Sequence, residues 1–269
     1  MTIDKKLAKF RRILRGFDSA VIAFSGGVDS AFLAMVTAQA LKKKVLAVTM
    51  VSELMPESEK REAVGLASKI GIRHRLVRQR LASTLRNNPD DRCYHCKREV
   101  FSSLLRIARR EKFAVVLDGS NANDLMDYRP GARALKELGI RSPLQEAGLT
   151  KKDIRVLSKR MGLVTWNKPA MACLGSRFPY GEKITSQALK RVERAEEFLR
   201  GRGFVQVRVR HHGNLCRIEV GPDEVMGFLK KRALVVKKLK ALGYTYVTVD
   251  LEGYRTGSMN EAIRWKKKK

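Results

Sequence analysis

The segment Val21–Ala34, VIAFSGGVDSAFLA, limits the possible folds of this chain more than any other stretch of the sequence. It joins a short apolar run to a Ser-Gly-Gly turn and then to a helical pattern, which predicts a buried strand, a tight loop and a helix. Glycine reaches backbone angles that other residues avoid, and the N–H groups at the start of a helix attract anions. The segment therefore predicts a phosphate-binding loop around Gly26 and Gly27.

The polar groups of this loop suit a nucleotide. The residues expected to bind it are Ser25, Gly26, Gly27, Val28, Asp29 and Ser30. Asp29 is expected to act through Mg²⁺ or to hold the loop, because a carboxylate alone repels phosphate oxygens. The loop is not GxGxxG and lacks the lysine of GxxxxGKS/T, so both of those motifs are disfavoured. A turn without any ligand is the structural alternative.

The order SGGVDS, placed between a strand and a helix, resembles the loop of the PP-loop ATP pyrophosphatases. The resemblance implies that the chain cleaves ATP between the α- and β-phosphates, transfers AMP to a substrate and releases pyrophosphate. It also implies a fold like that of the adenine nucleotide alpha hydrolases.

Composition bears on partners and location. The 269 residues include 56 Lys and Arg against 27 Asp and Glu, a net charge of +29. This excess suits either binding of a polyanion such as RNA or adaptation to a hot cytoplasm. No apolar run reaches the roughly 20 residues of a membrane span, and the basic N-terminus lacks the pattern of a secretory signal, so a cytoplasmic protein is expected. The run Lys266–Lys269 is expected to be a solvated tail.

Strands and helices alternate in the first part of the chain. The main apolar runs lie at residues 20–24, 45–50 and 113–117. Helical patterns between them predict a doubly wound parallel sheet of the α/β class. The pattern changes after Trp166, and Thr185 is the predicted N-cap of a helix in a smaller α/β unit with half-exposed strands. We therefore expect one domain at residues 1–170 and a second at 171–269.

The four cysteines are too few for a disulfide framework, and a CxxC pair then indicates metal or redox chemistry. Cys93 and Cys96 form such a pair, which we expect in a loop on a tight turn. Cys216 lies in the alternating run LCRIEV and is expected to face the core. The other three, Cys93, Cys96 and Cys173, are enough to hold a 4Fe–4S cluster with one open iron. A zinc site and three unrelated thiols remain alternatives.

Three further segments carry a second and more specific resemblance. They are Asp118–Lys151, Ala172–Thr185 and Asp250–Glu261. In order and spacing they resemble the LarE-type sulfur transferases, and the similarity covers nearly the whole chain. The resemblance implies adenylation of a carboxylate on a pyridinium mononucleotide and replacement of its oxygen by sulfur. The product would be a thiocarboxylate for the nickel-pincer nucleotide cofactor.

The family is known to use two sulfur sources. One form sacrifices the cysteine that matches Cys173 and leaves dehydroalanine, whereas the other carries three cysteines and is thought to use an iron–sulfur cluster. Here Cys93 and Cys96 accompany Cys173, so the sequence departs from the single-cysteine form and favours the cluster. The implied cofactors are ATP, Mg²⁺ and a 4Fe–4S cluster.

The resemblance also implies roles for residues outside the loop. Asp118 and Ser120 are expected to bind the nucleotide. Ser176 and Arg177, next to Cys173, are expected to position a substrate phosphate or AMP. Hydrogen bonding within a loop is the structural alternative for this pair.

A third group of residues is expected on the substrate side. Arg208 and Arg210 alternate with valines, so both guanidinium groups lie on one face of a strand. Together with Glu197 they resemble the family's residues for a phosphorylated nucleotide. Asp223, at the start of a helix, is a weaker candidate for substrate binding, and a purely electrostatic effect on the helix is its alternative. A solvated strand face is the alternative for the two arginines.

Two other functions remain open at this stage. A tRNA-thiolating PP-loop enzyme is favoured by the positive charge, but the second half of the chain resembles LarE and lacks the zinc-ribbon cysteine pairs of some such enzymes. A catalytically silent nucleotide- or RNA-binding protein is disfavoured by Ser25, Asp29 and Cys173. The expected partners are a small nucleotide substrate and a sulfide donor, without a membrane, in a homo-oligomer.

The loop generates the first prediction. Asp29→Ala should abolish pyrophosphate release in the presence of substrate, because Asp29 is the only acid of the loop and the residue expected to engage Mg²⁺. Pyrophosphate is measured by a coupled assay, and a circular dichroism spectrum identical to that of the wild type shows that the fold is intact. Wild-type pyrophosphate release by the variant would contradict the assignment of the loop.

Overall fold

The computed structural model describes residues 1–125, 130–169, 171–255 and 257–261. The chain forms two compact units. The first comprises Met1–Arg80 and Asp91–Met171, and the second comprises Leu81–Asp90 and Ala172–Lys269. Segment Leu81–Asp90 thus belongs to the second unit, whereas the sequence analysis assigned it to the first domain. The predicted tail Lys266–Lys269 lies outside the described residues.

Helices and strands alternate through most of the chain. The helices are α1 (Ile3–Arg15), α2 (Val28–Leu41), α3 (Glu57–Ile70), α4 (Ser83–Arg86), α5 (Arg92–Arg110), α6 (Pro130–Glu137), α7 (Pro143–Glu146), α8 (Lys151–Arg160), α9 (Ser186–Arg200), α10 (Val225–Lys230) and α11 (Arg232–Ala241). The strands are β1 (Ala20–Ala23), β2 (Val45–Val51), β3 (His74–Arg78), β4 (Val115–Leu117), β5 (Val207–His212), β6 (Leu215–Val220) and β7 (Tyr246–Val249). None of the helices in the described ranges is long and apolar enough to cross a bilayer.

The first unit is built on a parallel sheet with the strand order β3-β2-β1-β4. Alternate residues of each strand enter cores on opposite faces. Ile22 packs in a core with α1, α2 and α8, and its neighbour Val21 packs in another with Phe101 and Leu104 of α5. Because both faces are covered, β1, β2 and β4 are nearly uniformly apolar, whereas the edge strand β3 carries one histidine and two arginines. The prediction of a doubly wound α/β sheet is confirmed.

The prediction that CYHC forms a loop was wrong. Residues 93–96 lie in the first turn of α5, which begins at Arg92. Tyr94 is buried and belongs to the same apolar stripe as Phe101 and Leu104, so packing extends the helix back through the cysteine pair. The backbone carbonyl of Asp91 accepts a hydrogen bond from Tyr94 N at 2.8 Å and so begins the helix.

The second unit contains a smaller sheet in the order β5-β6-β7, with β5 antiparallel to β6 and β6 parallel to β7. The predicted N-cap is confirmed, since the side chain of Thr185 accepts a hydrogen bond from Ala188 N at the start of α9. The expectation of half-exposed strands was wrong for β5, which is buried from Val207 to His211. Arg210 on that strand has the buried acidic partner Glu219, and Arg208 donates to the carbonyl of Val207, so neither side chain requires solvent.

The nucleotide loop depends on one position that only glycine satisfies. Gly26 has φ +74°, and a Cβ atom there would lie 3.1 Å from Cα of Ala63 in α3. Gly27 has φ −76°, and a Cβ there would meet only Ser25 Oγ at 3.4 Å. The strain of a left-handed angle therefore applies at the first glycine but not at the second.

This difference generates a stability prediction with a matched control. Gly26→Ala should lower the free energy of unfolding by about 1–3 kcal/mol, since it combines backbone strain with a steric clash. Gly27→Ala should change it by less than about 1 kcal/mol. Urea titration of both variants measures the difference, and equal losses of stability would contradict the structural argument.

Candidate functional site

The loop after β1 is held in shape by its own serines. Ser25 Oγ and Ser30 Oγ lie 3.1 Å apart, and Ser30 Oγ donates to the carbonyl of Gly27 at 3.1 Å. Gly27 N donates to Ser25 Oγ at 3.3 Å. Val28 begins α2, so the loop lies at the N-terminus of a helix of 14 residues. The arrangement presents hydroxyl and backbone donors where a helix N-terminus favours an anion.

The residues that follow β4 pack against this loop. A Cβ atom on Gly119 would lie 3.2 Å from Ser30 N, so the two backbones are in direct contact. Asp118 is buried and accepts hydrogen bonds from both the backbone N–H and the hydroxyl of Ser120. The structure therefore brings the predicted nucleotide-binding residues Asp118 and Ser120 beside the loop in the first unit. Their role in binding remains a prediction.

Asp29 forms an ion pair that the sequence analysis missed. Its Oδ2 lies 2.5 Å from Lys151 Nζ, whereas its buried Oδ1 has no hydrogen-bond partner among the described residues. Burial raises the pKa of Asp29, and the opposing effect of Lys151 only partly offsets this. A buried carboxylate oxygen without a partner fits a ligand for Mg²⁺, a cation that binds through oxygen.

Lys151 reaches the loop because α8 begins at a fixed point. Thr150 accepts from Asp153 N, the Asp153 side chain accepts from Thr150 N, and Lys151 N donates to Asn123 Oδ1 at 2.8 Å. Lys6 pairs with Asp153 at 2.6 Å and steadies the same turn. The sequence TKKD carries the signature of a capping box, but nothing local indicates a contact with a residue 122 positions away.

Cys93 and Cys96 share the exposed first turn of α5. Cys93 is exposed and Cys96 is half-buried, and neither forms a disulfide. The adjacent Lys97 Nζ lies 3.8 Å from Asp118 Oδ2, which places this turn near the nucleotide loop within the first unit. In the part of the chain that is described, no three His, Cys, Asp or Glu side chains are arranged to hold a metal ion. The iron–sulfur cluster therefore stays a prediction.

Cys173 lies in the second unit, where its main chain is anchored and its side chain is exposed. It precedes a single turn of 3-10 helix, Leu174–Arg177. Its carbonyl accepts from Ser176 Oγ at 2.8 Å and from Arg177 Nη1 at 3.0 Å. The exposed thiol thus belongs to a residue whose main-chain carbonyl is held by two side chains of the following turn.

Arg177 itself is held by a buried acid. Its guanidinium makes a two-pronged ion pair with Glu196 of α9, at 2.9 and 3.0 Å, and both side chains are at most 1% exposed. Glu196 also accepts from Val209 N and from Arg200. Burial opposes the charge of Glu196, but Arg177 outweighs it and holds the pKa of Glu196 below the ordinary value. The neighbouring Glu197, the residue predicted from sequence, is exposed.

Arg208 and Arg210 share one face of β5, as predicted, but they are buried and not solvated. Arg210 pairs with Glu219 at 2.9 and 2.5 Å and donates to the carbonyl of Ser176 at 2.9 Å. Burial and the nearby Arg177 lower the pKa of Arg208, whose guanidinium lies 5.1 Å from the ring centre of Tyr254. The second unit therefore brings the arginines together behind the cysteine loop.

Asp223 and Cys216 are not part of the arginine cluster behind the Cys173 loop. Asp223 is exposed in a 3-10 turn, Pro222–Glu224, and its role remains a prediction. Cys216 is fully buried on β6, where burial raises the pKa of its thiol to about 12. The prediction that Cys216 faces the core is confirmed, and such a thiol does not ionise near neutral pH.

Comparisons with known proteins agree with this geometry. The family described as NAD synthase matches residues 6–117. An uncharacterised protein of Synechocystis is 43% identical over 97% of this chain and 99% of its own length. The pyridinium-3,5-bisthiocarboxylic acid mononucleotide synthase of Lactiplantibacillus plantarum is 38% identical over 97% of this chain and 96% of its own length. An uncharacterised protein of Methanocaldococcus jannaschii is 31% identical over 95% of this chain and 100% of its own length.

The parallel sheet and the serine–glycine loop of the first unit define a PP-loop enzyme that uses ATP. The similarity to the Lactiplantibacillus synthase extends through both units of this chain and covers nearly the whole length of each of the two proteins. The chain belongs to the LarE-type family of ATP-dependent sulfur transferases within that class.

The buried ion pair generates a prediction for adjacent glutamates. Glu196→Gln should lower the free energy of unfolding at pH 7 by about 3–5 kcal/mol, because the buried Arg177 loses its counter-charge. Glu197→Gln, on the exposed side of α9, should change it by less than about 0.5 kcal/mol. Urea titration measures both values.

The pH dependence supplies an independent check. The pKa of Glu196 is lowered in the folded protein, so its contribution to stability is complete above the ordinary pKa of 4.5 and is lost as the pH falls through the folded value. The stability gap between the wild type and Glu196→Gln should therefore narrow below pH 4.5. A gap that widens in acid would contradict the ion-pair account.

Proposed function

We propose that this chain adenylates a carboxylate of a pyridinium mononucleotide and converts it to a thiocarboxylate, the chemistry that the name of its Lactiplantibacillus relative describes. The observation that carries the proposal is the exposed Cys173, whose carbonyl is held by Arg177 in front of buried arginines. An exposed thiol beside cationic side chains suits a substrate that carries phosphate and carboxylate groups. Similarity across both units supports the same substrate class.

The first step activates a poor acyl donor. A carboxylate oxygen of the substrate attacks the α-phosphorus of ATP, the bond from that phosphorus to the β-phosphate bridging oxygen breaks, and pyrophosphate leaves. In this proposal the N–H groups at the start of α2 and the hydroxyls of Ser25 and Ser30 bind phosphate oxygens; the support is their common position at a helix N-terminus. When Mg²⁺ is bound, Asp29 would hold it, and the ion would neutralise charge on the phosphates.

The second step transfers sulfur. A sulfide nucleophile attacks the carbonyl carbon of the acyl-adenylate, the bond to the AMP oxygen breaks, and AMP leaves with its electron pair. Sulfide loses its proton to solvent, so the products are a thiocarboxylate and AMP. Arg177 and Ser176 keep the Cys173 loop in place during this step, because both bind the cysteine carbonyl.

The sulfur source in this proposal is a 4Fe–4S cluster held by Cys93, Cys96 and Cys173. All three side chains are at least partly accessible, whereas Cys216 is buried, so the chain offers three cysteines as cluster ligands. A cluster bound by three thiolates has one iron that can carry an additional sulfide. The alternative is sacrifice of Cys173. In that case the bond between Sγ and Cβ of the cysteine breaks, and dehydroalanine remains in the chain.

Arg208 and Arg210 are the proposed ligands for the substrate phosphate. Two buried acids, Glu196 and Glu219, face three buried arginines in this part of the second unit, so the cluster carries excess positive charge. Glu197 and Asp223 remain predicted substrate-side residues. A cytoplasmic location, a homo-oligomer and a separate sulfide donor also remain predictions.

The sulfur source is tested with four single variants, each reconstituted anaerobically with iron and sulfide. Cys93→Ala, Cys96→Ala and Cys173→Ala should each lose the cluster and the ability to form more than one thiocarboxylate per chain. Cys216→Ala, the control, should keep both, because its thiol is buried. Iron and sulfide analysis measures the cluster, and mass spectrometry of the product measures turnover.

The alternatives make different forecasts in the same experiment. If Cys173 is sacrificed, only Cys173→Ala is inactive, turnover stops after one sulfur, and the wild-type chain becomes lighter by the mass of hydrogen sulfide. If the chain is a tRNA-thiolating enzyme, thiolated nucleoside appears when tRNA replaces the pyridinium substrate. The first result overturns the proposal that a cluster supplies the sulfur, and the second overturns the proposed substrate. Neither result alters the conclusion that the enzyme uses ATP.

A further inference from the structure

Asn88 holds an unusual backbone conformation at a fully buried position. Its φ is +50°, in the left-handed region that residues other than glycine rarely adopt, and the residue is 0% exposed. It also precedes Pro89, and a residue before a proline ordinarily has an extended backbone. A conformation of this kind persists only where surrounding contacts hold it, so the strain at Asn88 must be offset elsewhere.

The side chain of Asn88 makes contacts that offset this strain. Its Nδ2 donates to the carbonyl of Phe178 at 3.2 Å and to that of Pro179 at 2.6 Å. A side-chain amide has two N–H donors, so both are used on consecutive carbonyls. The main-chain carbonyl of Asn88 accepts from Gly181 N at 2.8 Å, and all of these residues belong to the second unit. Asn88 therefore binds one short stretch of chain with both its side chain and its backbone.

That stretch directly follows the turn after Cys173. The turn of 3-10 helix spans Leu174–Arg177, and the buried Phe178 comes next. At the start of the turn, Arg177 holds the carbonyl of Cys173. At its end, Asn88 holds the carbonyl of Phe178, which lies 90 positions away along the chain. Buried side chains thus fix the turn at both ends.

We propose that Asn88 is a positioning residue for sulfur transfer. By holding the end of the turn, its amide keeps Cys173 in the position that this step requires. The inference rests on the proposed formation of a thiocarboxylate, but it applies whether the sulfur comes from a cluster or from Cys173 itself. The bonds named above lie within the second unit, whereas the nucleotide loop belongs to the first, so pyrophosphate release should not require them.

Two substitutions at Asn88 separate hydrogen bonding from the filling of space. Asn88→Gly accepts the left-handed backbone and removes the amide, whereas Asn88→Asp keeps the shape of the side chain and replaces the amide donor by an acceptor. The control is Asn87→Gly, the same change at the exposed neighbouring asparagine. Circular dichroism and thermal unfolding establish the temperature at which each variant is folded.

The experiment follows both steps in a single turnover. Each protein, reconstituted anaerobically with iron and sulfide, is mixed with ATP and a pyridinium carboxylate mononucleotide, and pyrophosphate and thiocarboxylate are measured in the same quenched samples. Asn88→Gly and Asn88→Asp should each form thiocarboxylate about tenfold or more slowly, because a small displacement of a reacting group is costly. Pyrophosphate release should stay within about twofold of the wild-type rate, as expected where only the later step loses its geometry. Asn87→Gly should change neither rate.

A second pair of variants weakens the same contact without altering a buried side chain. Gly181 and Gly203 have φ +83° and +95°, and a Cβ atom on either would meet nothing within 4 Å. Alanine therefore introduces similar strain at both positions, but Gly181 donates to Asn88, whereas Gly203 donates to Arg200. Gly181→Ala should slow thiocarboxylate formation at least about twofold, and Gly203→Ala should leave it unchanged. This pair decides the question if the Asn88 variants do not fold.

The possible results separate the inference from the proposed function. Normal thiocarboxylate formation in folded Asn88→Gly, or an equal loss of both steps, overturns the positioning role. So does an Asn88→Asp variant that is much less impaired than Asn88→Gly, since space-filling would then explain the effect. Equal rates in Gly181→Ala and Gly203→Ala count against it in the same way. A wild-type protein that releases pyrophosphate but forms no thiocarboxylate would instead contradict the proposed function.

Discussion

Close contact between backbones is the constraint on which the nucleotide loop depends. Gly26 lies against α3, and Gly119 lies against the N–H of Ser30, so a Cβ atom at either position would lie only 3.1–3.2 Å from neighbouring backbone atoms. The enclosed loop joins the end of β1 to the start of α2. A phosphate site built in this way uses few side chains, and most of its donors belong to the backbone.

The second unit solves a different physical problem, which is the burial of charge. Arg177 and Arg210 are almost completely buried, and each is matched by one buried glutamate through two hydrogen bonds. Such pairs add little net stability compared with apolar packing, but losing one partner is costly. Their structural effect is specificity: Arg177 and Arg210 bind carbonyls of the loop that carries Cys173.

Local patterns in the sequence predicted the elements well where packing is local. The strands around Val21 and Leu46 are continuous apolar runs, and Thr185 caps its helix as expected. Prediction failed where a partner is distant along the chain. Glu196 of α9 accepts a hydrogen bond from Val209 N of the buried strand β5, a contact that the alternating pattern of the strand does not reveal. Likewise, the ion pair of Asp29 with Lys151 joins residues 122 positions apart.

The anchoring of Cys173 has a consequence for how this family can change over evolutionary time. The hydrogen bonds described for this residue use its main-chain carbonyl, so they do not require the sulfur atom. Loss of the sulfur, its capture by a metal or its replacement leaves the scaffold in place. Selection can therefore exchange a single-use sulfur donor for a reusable one through changes at positions such as 93 and 96, without first rebuilding the machinery that activates the substrate.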